Sequence, residues 1–361
     1  MKQLRNVLFA ASLLVAAPHV WAAPTMVMIT VDVESYTKGT PDQQIWGKQP
    51  DGEHGIRRMM DMLDKHGLKG TFYLNVYEAA KSGESEVELA EVARTINNRG
   101  QDLQLHTHPG PMFGSEVMQR ASLEQQIAIL NRGKDLIRQW TGKTVIAHRA
   151  GAFAANLDTL KACQQVGLLI DSSFSPVSTS TDLSKQLSAS NLPQVIEGVV
   201  ELPITQFAQA RLGNWQSLRY LDIEASSLDE LRYAIRQFRD AGFPVVNIMM
   251  HSFSFVRQGK TDVAIEQRFD KLLTFLKAEP GVQVVTVSQL YPQWTAQVAT
   301  LQKGTNVTPN TGVWLMYRRA WEDFKGWENI AVAVTPPFLL FFMTAMVLRW
   351  RRRHSKRVIA E

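Results

Sequence analysis

The sequence predicts an α/β protein, a (β/α) barrel of the TIM type with a transmembrane helix behind it. Short apolar runs alternate with longer amphipathic ones through the middle of the 361 residues, which is typical of parallel strands joined by crossover helices. The alternation has no break, so one barrel is favoured over two separate sheets. Near the C-terminus, a longer uncharged run predicts the membrane span.

Eight apolar runs are the predicted strands, and six amphipathic runs are the predicted helices. The strands cover residues 26–33, 70–74, 103–106, 145–148, 168–171, 199–202, 245–250 and 282–287. The helices cover residues 52–66, 86–98, 123–141, 156–166, 227–241 and 263–278. Glycines at positions 67, 100 and 242 mark helix ends, because left-handed backbone commonly terminates a helix.

Residues 1–23 have the pattern of a signal peptide. Lys2 and Arg5 precede an apolar run, and small residues allow cleavage after Ala22 or Ala23. An uncleaved anchor is the alternative, but the apolar run is short for a bilayer.

Residues 329–349 are predicted to form a transmembrane helix, because residues 330–348 are 19 residues without a charge. Residues 350–361 follow with several arginines, which the positive-inside rule keeps in the cytoplasm. We therefore expect a single-pass protein of the bacterial inner membrane with residues 24–300 in the periplasm. Residues 301–328 are predicted to be a linker and interfacial segment.

The charge of the chain argues against a nucleic-acid partner. The formal net charge is +5 and the pI is about 9.2, but the basic ends supply the excess and the body is close to neutral. Cys163 is the only cysteine, so no internal disulfide is expected, and its helical surroundings predict a buried side chain.

Two pairs of polar residues follow predicted strands with i, i+2 spacing. Asp32 and Glu34 end the first strand, and His106 and His108 end the third. This spacing places both members of a pair on one face of a strand, and the ends of parallel strands meet at one mouth of a barrel. Carboxylates and imidazoles together predict a divalent metal site, and zinc is the metal this donor set favours.

Three further polar residues follow later strands. Arg149 is suited to orient a carboxylate by bidentate contact, and His251 could donate a proton to a leaving group. Asp171 could orient His251, or it could begin the turn that follows it. Five polar positions at the ends of five predicted strands therefore predict a catalytic site at one end of the barrel.

In this order the motifs resemble the polysaccharide deacetylase family of the NodB-homology type, carbohydrate esterase family four. They read Thr30-Val31-Asp32-Val33-Glu34, His106-Thr107-His108-Pro109, Arg149-Ala150-Gly151, Asp171-Ser172-Ser173 and Met250-His251-Ser252. The resemblance extends from about residue 26 to 290. It implies a distorted (β/α) barrel and a polysaccharide deacetylase-like catalytic domain over residues 24–300.

The resemblance also implies residue roles. Asp32 would be the catalytic base and Arg149 the residue that positions it, with Asp171 in the fourth motif. His106 and His108 would be metal ligands, and His251 the acid that protonates the leaving group. The family's first motif has adjacent aspartates, whereas Val33 intervenes here and Glu34 becomes the candidate ligand. The family's histidines are spaced i, i+4, whereas position 110 is glycine here, so His108 substitutes.

The function expected from the resemblance is metal-dependent removal of acetyl groups, from nitrogen in the first place, from a cell-envelope or secreted polysaccharide. Its partners would be the polymer, the membrane and envelope polysaccharide export or synthesis proteins. One alternative is a barrel glycoside hydrolase that uses Asp32 and Glu34 as its acid and base. The other is a non-catalytic glycan-binding or assembly factor with a degenerate deacetylase fold.

Overall fold

A curled, mainly parallel β-sheet forms the centre of the protein in a computed structural model, which describes residues 23–35, 39–78, 86–213, 215–294, 304–315 and 318. The strands are β1 (Thr25–Val33), β2 (Lys48–Gln49), β3 (Gly52–Glu53), β4 (Thr71–Asn75), β5 (Asp102–Thr107), β6 (Ala147–Ala150), β7 (Ile170–Asp171), β8 (Gln194–Ile196), β9 (Val199–Glu201), β10 (Gln206–Leu212), β11 (Trp215–Tyr220), β12 (Val245–His251), β13 (Val256–Arg257), β14 (Lys260–Thr261) and β15 (Val282–Val284). The helices are α1 (Pro41–Gln44), α2 (Ile56–His66), α3 (Glu86–Asn98), α4 (Leu123–Thr141), α5 (Leu157–Gln165), α6 (Leu228–Asp240), α7 (Val263–Ala278) and α8 (Val287–Trp294).

The strand order in the main sheet is β12-β1-β4-β5-β6-β7-β9-β8, and β15 pairs with the start of β1. All of these pairs are parallel except β8 with β9. No ladder joins β9 to β12 in the described residues. Single hydrogen bonds cross that gap instead, from Thr205 N–H to the Asn247 carbonyl and from Met249 N–H to the Leu221 carbonyl. The expected TIM-type barrel is therefore a curled half-barrel.

All eight predicted strands and all six predicted helices are present. Three helices have the predicted bounds, Glu86–Asn98, Leu123–Thr141 and Val263–Ala278, and the boundaries of the other elements are shifted. The first helix begins at Ile56 rather than at residue 52, because β3 pairs with β2 just before it. The hairpin of β10 and β11 was not predicted, and it stands beside the main sheet as a separate two-stranded unit. It matters because its last residue reaches the site described below.

Local sequence signals fix the ends of the helices that cover the sheet. At α4, the Ser122 hydroxyl accepts from the Gln125 N–H, and the Gln125 side chain accepts from the Ser122 N–H. Helix α2 ends at Gly67, whose φ of 65° lies in the left-handed region that glycine adopts without strain. Apolar faces of these helices bury against the sheet, which leaves its carboxyl edge free for polar residues.

The predicted transmembrane helix at 329–349, the tail at 350–361 and nearly all of the predicted signal peptide lie outside the described residues. Within the described ranges, every helix is too short or too polar to span a bilayer. Part of the predicted linker packs on the body: Ala208 N–H donates to the Pro309 carbonyl at 2.7 Å, and Thr311 N–H donates to the Ala208 carbonyl at 2.9 Å. Residues 304–315 are therefore not a free linker along their whole length.

Candidate active site

Glu34, His106 and His108 converge at the carboxyl edge of the sheet. Glu34 Oε2 lies 2.8 Å from His108 Nε2 and 3.4 Å from His106 Nε2. Strand β5 delivers His106, and His108 follows just after the strand ends, so the i, i+2 spacing does bring both rings to one point. Their ring centroids are 5.1 Å apart. The three predicted ligands thus form one cluster of nitrogen and oxygen donors.

The donor set fits a divalent metal. His106 Nδ1 donates to the Arg149 carbonyl at 2.9 Å, which fixes the ring and turns Nε2 towards the cluster. That Nε2 atom is buried and has no hydrogen-bond partner in the described part of the chain. Burial would raise the pKa of Glu34, but the two histidines beside its carboxylate hold that pKa well below its usual range. Two imidazoles and one ionised carboxylate leave a coordination position open, as in catalytic zinc sites.

Asp32 lies beside this cluster and is held by Arg149. The guanidinium donates to Asp32 Oδ1 at 2.6 Å, and it also donates to Thr30 Oγ1 and to the Ser172 carbonyl. Both partners of this ion pair are almost completely buried. The described contacts engage only Oδ1 of Asp32, so Oδ2 remains available to accept a proton. This is the geometry expected of a positioned base.

His251 stands on the opposite side of Glu34, at the end of β12 and in register with Asp32 on β1. Its Nε2 lies 3.8 Å from Glu34 Oε1, and its Nδ1 donates to Glu224 Oε1 at 2.9 Å. Burial would lower the pKa of His251, but the Glu224 hydrogen bond and the nearby carboxylates raise it to about 9. An imidazolium held in this way can give its Nε2 proton to a leaving group.

Asp171 does not orient His251, which corrects one of the two expectations for this residue. Its carboxylate accepts from His148 Nδ1 at 2.6 Å and from the Ser173 N–H at 3.1 Å, so it begins the turn that follows β7. Glu224 orients His251 instead, and sequence reasoning missed it. Glu224 lies 27 residues before its partner and follows the unpredicted hairpin, so no local spacing marked it.

The cluster opens into a cleft of about 670 Å³. Its floor holds Asp32, Glu34 and His251, and one wall is aromatic. The rings of Phe153 and Tyr220 meet edge to face there, with centroids 6.0 Å apart. Such a cleft, with polar groups at its base and aromatic rings along one side, is suited to a ligand that has both polar and apolar surfaces.

The fold and the site together define a class of protein, an α/β half-barrel with a cluster of carboxylate, imidazole and guanidinium groups at its carboxyl edge. The family model for polysaccharide deacetylase matches residues 23–170. This match confirms the predicted resemblance over those residues. No curated protein matches the chain.

Solved structures show the same fold at low sequence identity. A candidate polysaccharide deacetylase from Mycobacterium smegmatis is 22% identical with a TM-score of 0.56, over 80% of this chain and 96% of its own. A 4-alpha-glucanotransferase from Thermococcus litoralis is 12% identical with a TM-score of 0.51, over 75% of this chain and 41% of its own. A family 4 acetyl xylan esterase from Clostridium thermocellum, in complex with cobalt, is 15% identical with a TM-score of 0.41, over 74% and 91%. The first two likenesses concern the fold alone, and the third score is too low to show a shared fold.

Proposed function

We propose that this protein is a metal-dependent deacetylase that removes acetyl groups, N-acetyl in the first place, from a cell-envelope or secreted polysaccharide. The observation that carries this proposal is the convergence, in one cleft, of the Glu34–His106–His108 cluster, the Asp32–Arg149 pair and the His251–Glu224 pair. Amide hydrolysis is assisted by an electrophilic metal, a base and an acid. The first set would hold the metal, and the other two sets would supply the base and the acid.

Glu34, His106 and His108 would hold the metal, for which we propose zinc. A divalent metal bound there supplies Lewis-acid polarisation of a carbonyl and acidifies water. Asp32 would take a proton from the attacking water while Arg149 holds the carboxylate in place. The water oxygen then bonds to the acetyl carbonyl carbon, and the substrate is aligned by the cleft around it.

His251 would complete the reaction from the other side of the cleft. As the carbon–nitrogen bond breaks, its Nε2 proton passes to the nitrogen, which leaves as the amine of the sugar. Glu224 keeps the ring oriented through Nδ1 and stabilises its protonated form. Acetate and the deacetylated glycan are the products.

The same geometry supports deacetylation over glycoside hydrolysis. A glycosidase needs two carboxyl groups that flank the scissile bond, separated by about 5 Å or more. Here Asp32 and Glu34 lie side by side at the end of β1, and Glu34 is engaged by the two histidines, so the pair does not flank a bond in the cleft.

We also propose that the protein acts at the bacterial inner membrane. The uncharged run and the basic tail of the sequence support a single C-terminal span with the catalytic domain in the periplasm. In that position the polymer substrate would pass near the cleft, and envelope polysaccharide export or synthesis proteins would be its neighbours.

Acetate release from a panel of N-acetylated and O-acetylated envelope glycans tests the proposal. We expect release from at least one glycan, and its loss in His106→Ala, in Glu34→Gln and after chelation. His66→Ala is the matched control, because His66 contacts Asp270 outside the cleft and should leave activity intact. Full activity after the metal is removed would contradict the proposal. The formation of new reducing ends on the glycan without acetate release would also contradict it. Glycan binding by a body that releases no acetate would favour a non-catalytic role.

A further inference from the structure

A second cluster of ionisable side chains lies behind the sheet, away from the cleft. His148, Asp171 and Glu201 occupy matching positions on β6, β7 and β9, because His148 is in register with Asp171 and Asp171 with Glu201. They therefore share one face of the sheet, and Cys163 of α5 packs onto it. All four side chains are completely buried. The proposed deacetylation uses none of them.

Their donor atoms point at one another. His148 Nδ1 lies 2.6 Å from Asp171 Oδ1, and Cys163 Sγ lies 3.8 Å from His148 Nδ1 and 4.0 Å from Asp171 Oδ1. The ligand atoms of these three residues all lie within 4.8 Å of one another, as those of Glu34, His106 and His108 do. Such spacing is close enough for one ion to contact all three.

Glu201 adds an independent sign that a cation belongs there. Its Oε1 accepts from the Phe174 N–H at 2.8 Å, whereas its buried Oε2 has no hydrogen-bond donor in the described part of the chain. Its carboxyl group lies beside that of Asp171, with which Glu201 is in register on the same face of the sheet. Two buried carboxyl groups in contact need a positive particle between them, either a proton or a metal ion.

We propose that His148, Cys163, Asp171 and Glu201 form a second, structural metal site that takes a zinc-like divalent cation. The nitrogen of His148, the sulfur of Cys163 and one oxygen of Asp171 lie within reach of one ion, and the Glu201 carboxylate, in register beside Asp171, would close the fourth position. A closed four-ligand set would distinguish a structural site from the three-residue site in the cleft. Thr107 supports it from outside, because its Oγ1 lies 2.9 Å from His148 Nε2 and can accept a proton held there. The site would join β6, β7 and β9 to α5.

Metal binding there would need the thiolate form of Cys163, so it would release protons into solvent. Nδ1 of His148 would become a ligand, and its proton would move to Nε2, where Thr107 Oγ1 can accept it.

The single cysteine makes the test specific. The full chain, produced in cobalt-supplemented medium and purified in detergent, would be examined by near-ultraviolet absorption and by metal analysis. A thiolate-to-cobalt charge-transfer band can arise only from Cys163, since the sequence has no other cysteine. We expect that band and about two metal equivalents per chain.

Two variants assign the metals. His106→Ala should lose one equivalent and keep the band, whereas Cys163→Ser should lose the band and retain acetate release if it folds. Glu201→Gln, which keeps the shape of the side chain, should weaken the band. A wild-type protein with no thiolate band and a single metal equivalent would overturn the proposal and leave a shared proton between Asp171 and Glu201.

Discussion

At the scale of single residues, the absence of a side chain at Gly151 leaves the space that the His108 ring occupies. A Cβ atom on Gly151 would stand 2.2 Å from both Cε1 and Nε2 of the His108 ring, far inside contact distance. The backbone of Gly151 does not lie in the left-handed region, so alanine would be excluded by the ring and not by conformation. The ring must move if the methyl group is present, and Nε2 would then leave Glu34 Oε2.

We therefore expect Gly151→Ala to lower metal affinity in the cleft by about 10-fold or more, as loss of ligand orientation does. Metal titration and acetate release would measure it. Ala152→Gly is the control, since it relieves a left-handed backbone at φ 54° and adds no atom near His108. Equal metal affinity in Gly151→Ala and wild type would show that His108 is not a ligand.

Asp222 predicts a pH dependence of stability. Burial, and next the charge of Glu224, raise the pKa of Asp222 to about 6, whereas an unfolded aspartate has a pKa of about 3.9. The folded state therefore binds the proton more tightly, so the free energy of unfolding falls as the pH rises between these two values. Above about pH 6 Asp222 is ionised in both states, so the full loss of stability caused by burying its charge is present.

We expect Asp222→Asn to raise the free energy of unfolding by about 2 kcal/mol at about pH 8, and by much less near pH 4. The amide oxygen can still accept the Ala225 N–H, so the turn is retained. Denaturant unfolding at both pH values measures it. Asp42→Asn, at an exposed aspartate, should change stability by under about 0.5 kcal/mol at either pH. An equal gain at both pH values would refute the titration of Asp222 as the cause.

At the scale of elements, the hairpin of β10 and β11 supplies a wall of the cleft. Tyr220 ends β11 and lines the cleft beside Phe153, whereas Trp215 lies at the other end of the same strand and is 60% exposed.

If the proposed function is right, Tyr220→Ala should raise KM for the glycan about 10-fold, which corresponds to about 1.4 kcal/mol, with a smaller change in kcat. Trp215→Ala should leave both constants unchanged. A loss of kcat alone in Tyr220→Ala would place this ring in the chemistry rather than in binding.

Sequence reasoning found the elements whose pattern is strong and missed those whose pattern is short. Strands of the main sheet are buried on both faces and read as continuous apolar runs, such as Val245–His251. The hairpin has an exposed second strand, so its alternation is weak. The Gly213-Asn214 dipeptide between its strands is nevertheless a hairpin signal, and it could have found the element.

At the scale of the whole molecule, topology explains why most of the site could be predicted. Parallel strands end at one edge, and the registers of Asp32 with His251 and of His106 with Arg149 bring four of the expected residues to one place. Asp171 differs because it is in register with His148, whose side chain points to the opposite face from Arg149. The alternation of faces along β6 could have revealed this. The contact of Glu224 with His251 could not be predicted, because it depends on how the missed hairpin crosses the open side of the half-barrel.

One buried side chain, that of Asn191, adds to the backbone hydrogen bonds that hold the C-terminal segment to the body. Asn191 donates from Nδ2 to the carbonyls of Gln206 and Val307, at 2.9 and 2.8 Å, and its Oδ1 accepts from the Gln206 N–H at 2.7 Å. It thereby joins a loop, the start of β10 and the residues that lead towards the predicted membrane span. The attachment holds the described part of this segment against β10.

Asn191→Ala should release that attachment before it unfolds the protein. Three hydrogen bonds are lost and buried backbone groups keep no partner, so the free energy of unfolding should fall by about 2–3 kcal/mol. Amide exchange at Ala208 and Thr311, whose N–H groups join the segment to β10, should accelerate more than exchange in β1 or β4. Asn306→Ala removes one acceptor, for the Asn191 N–H, and should show a smaller effect of the same kind. Uniform acceleration across the protein would mean that the segment is part of the global fold and not a separately docked strap.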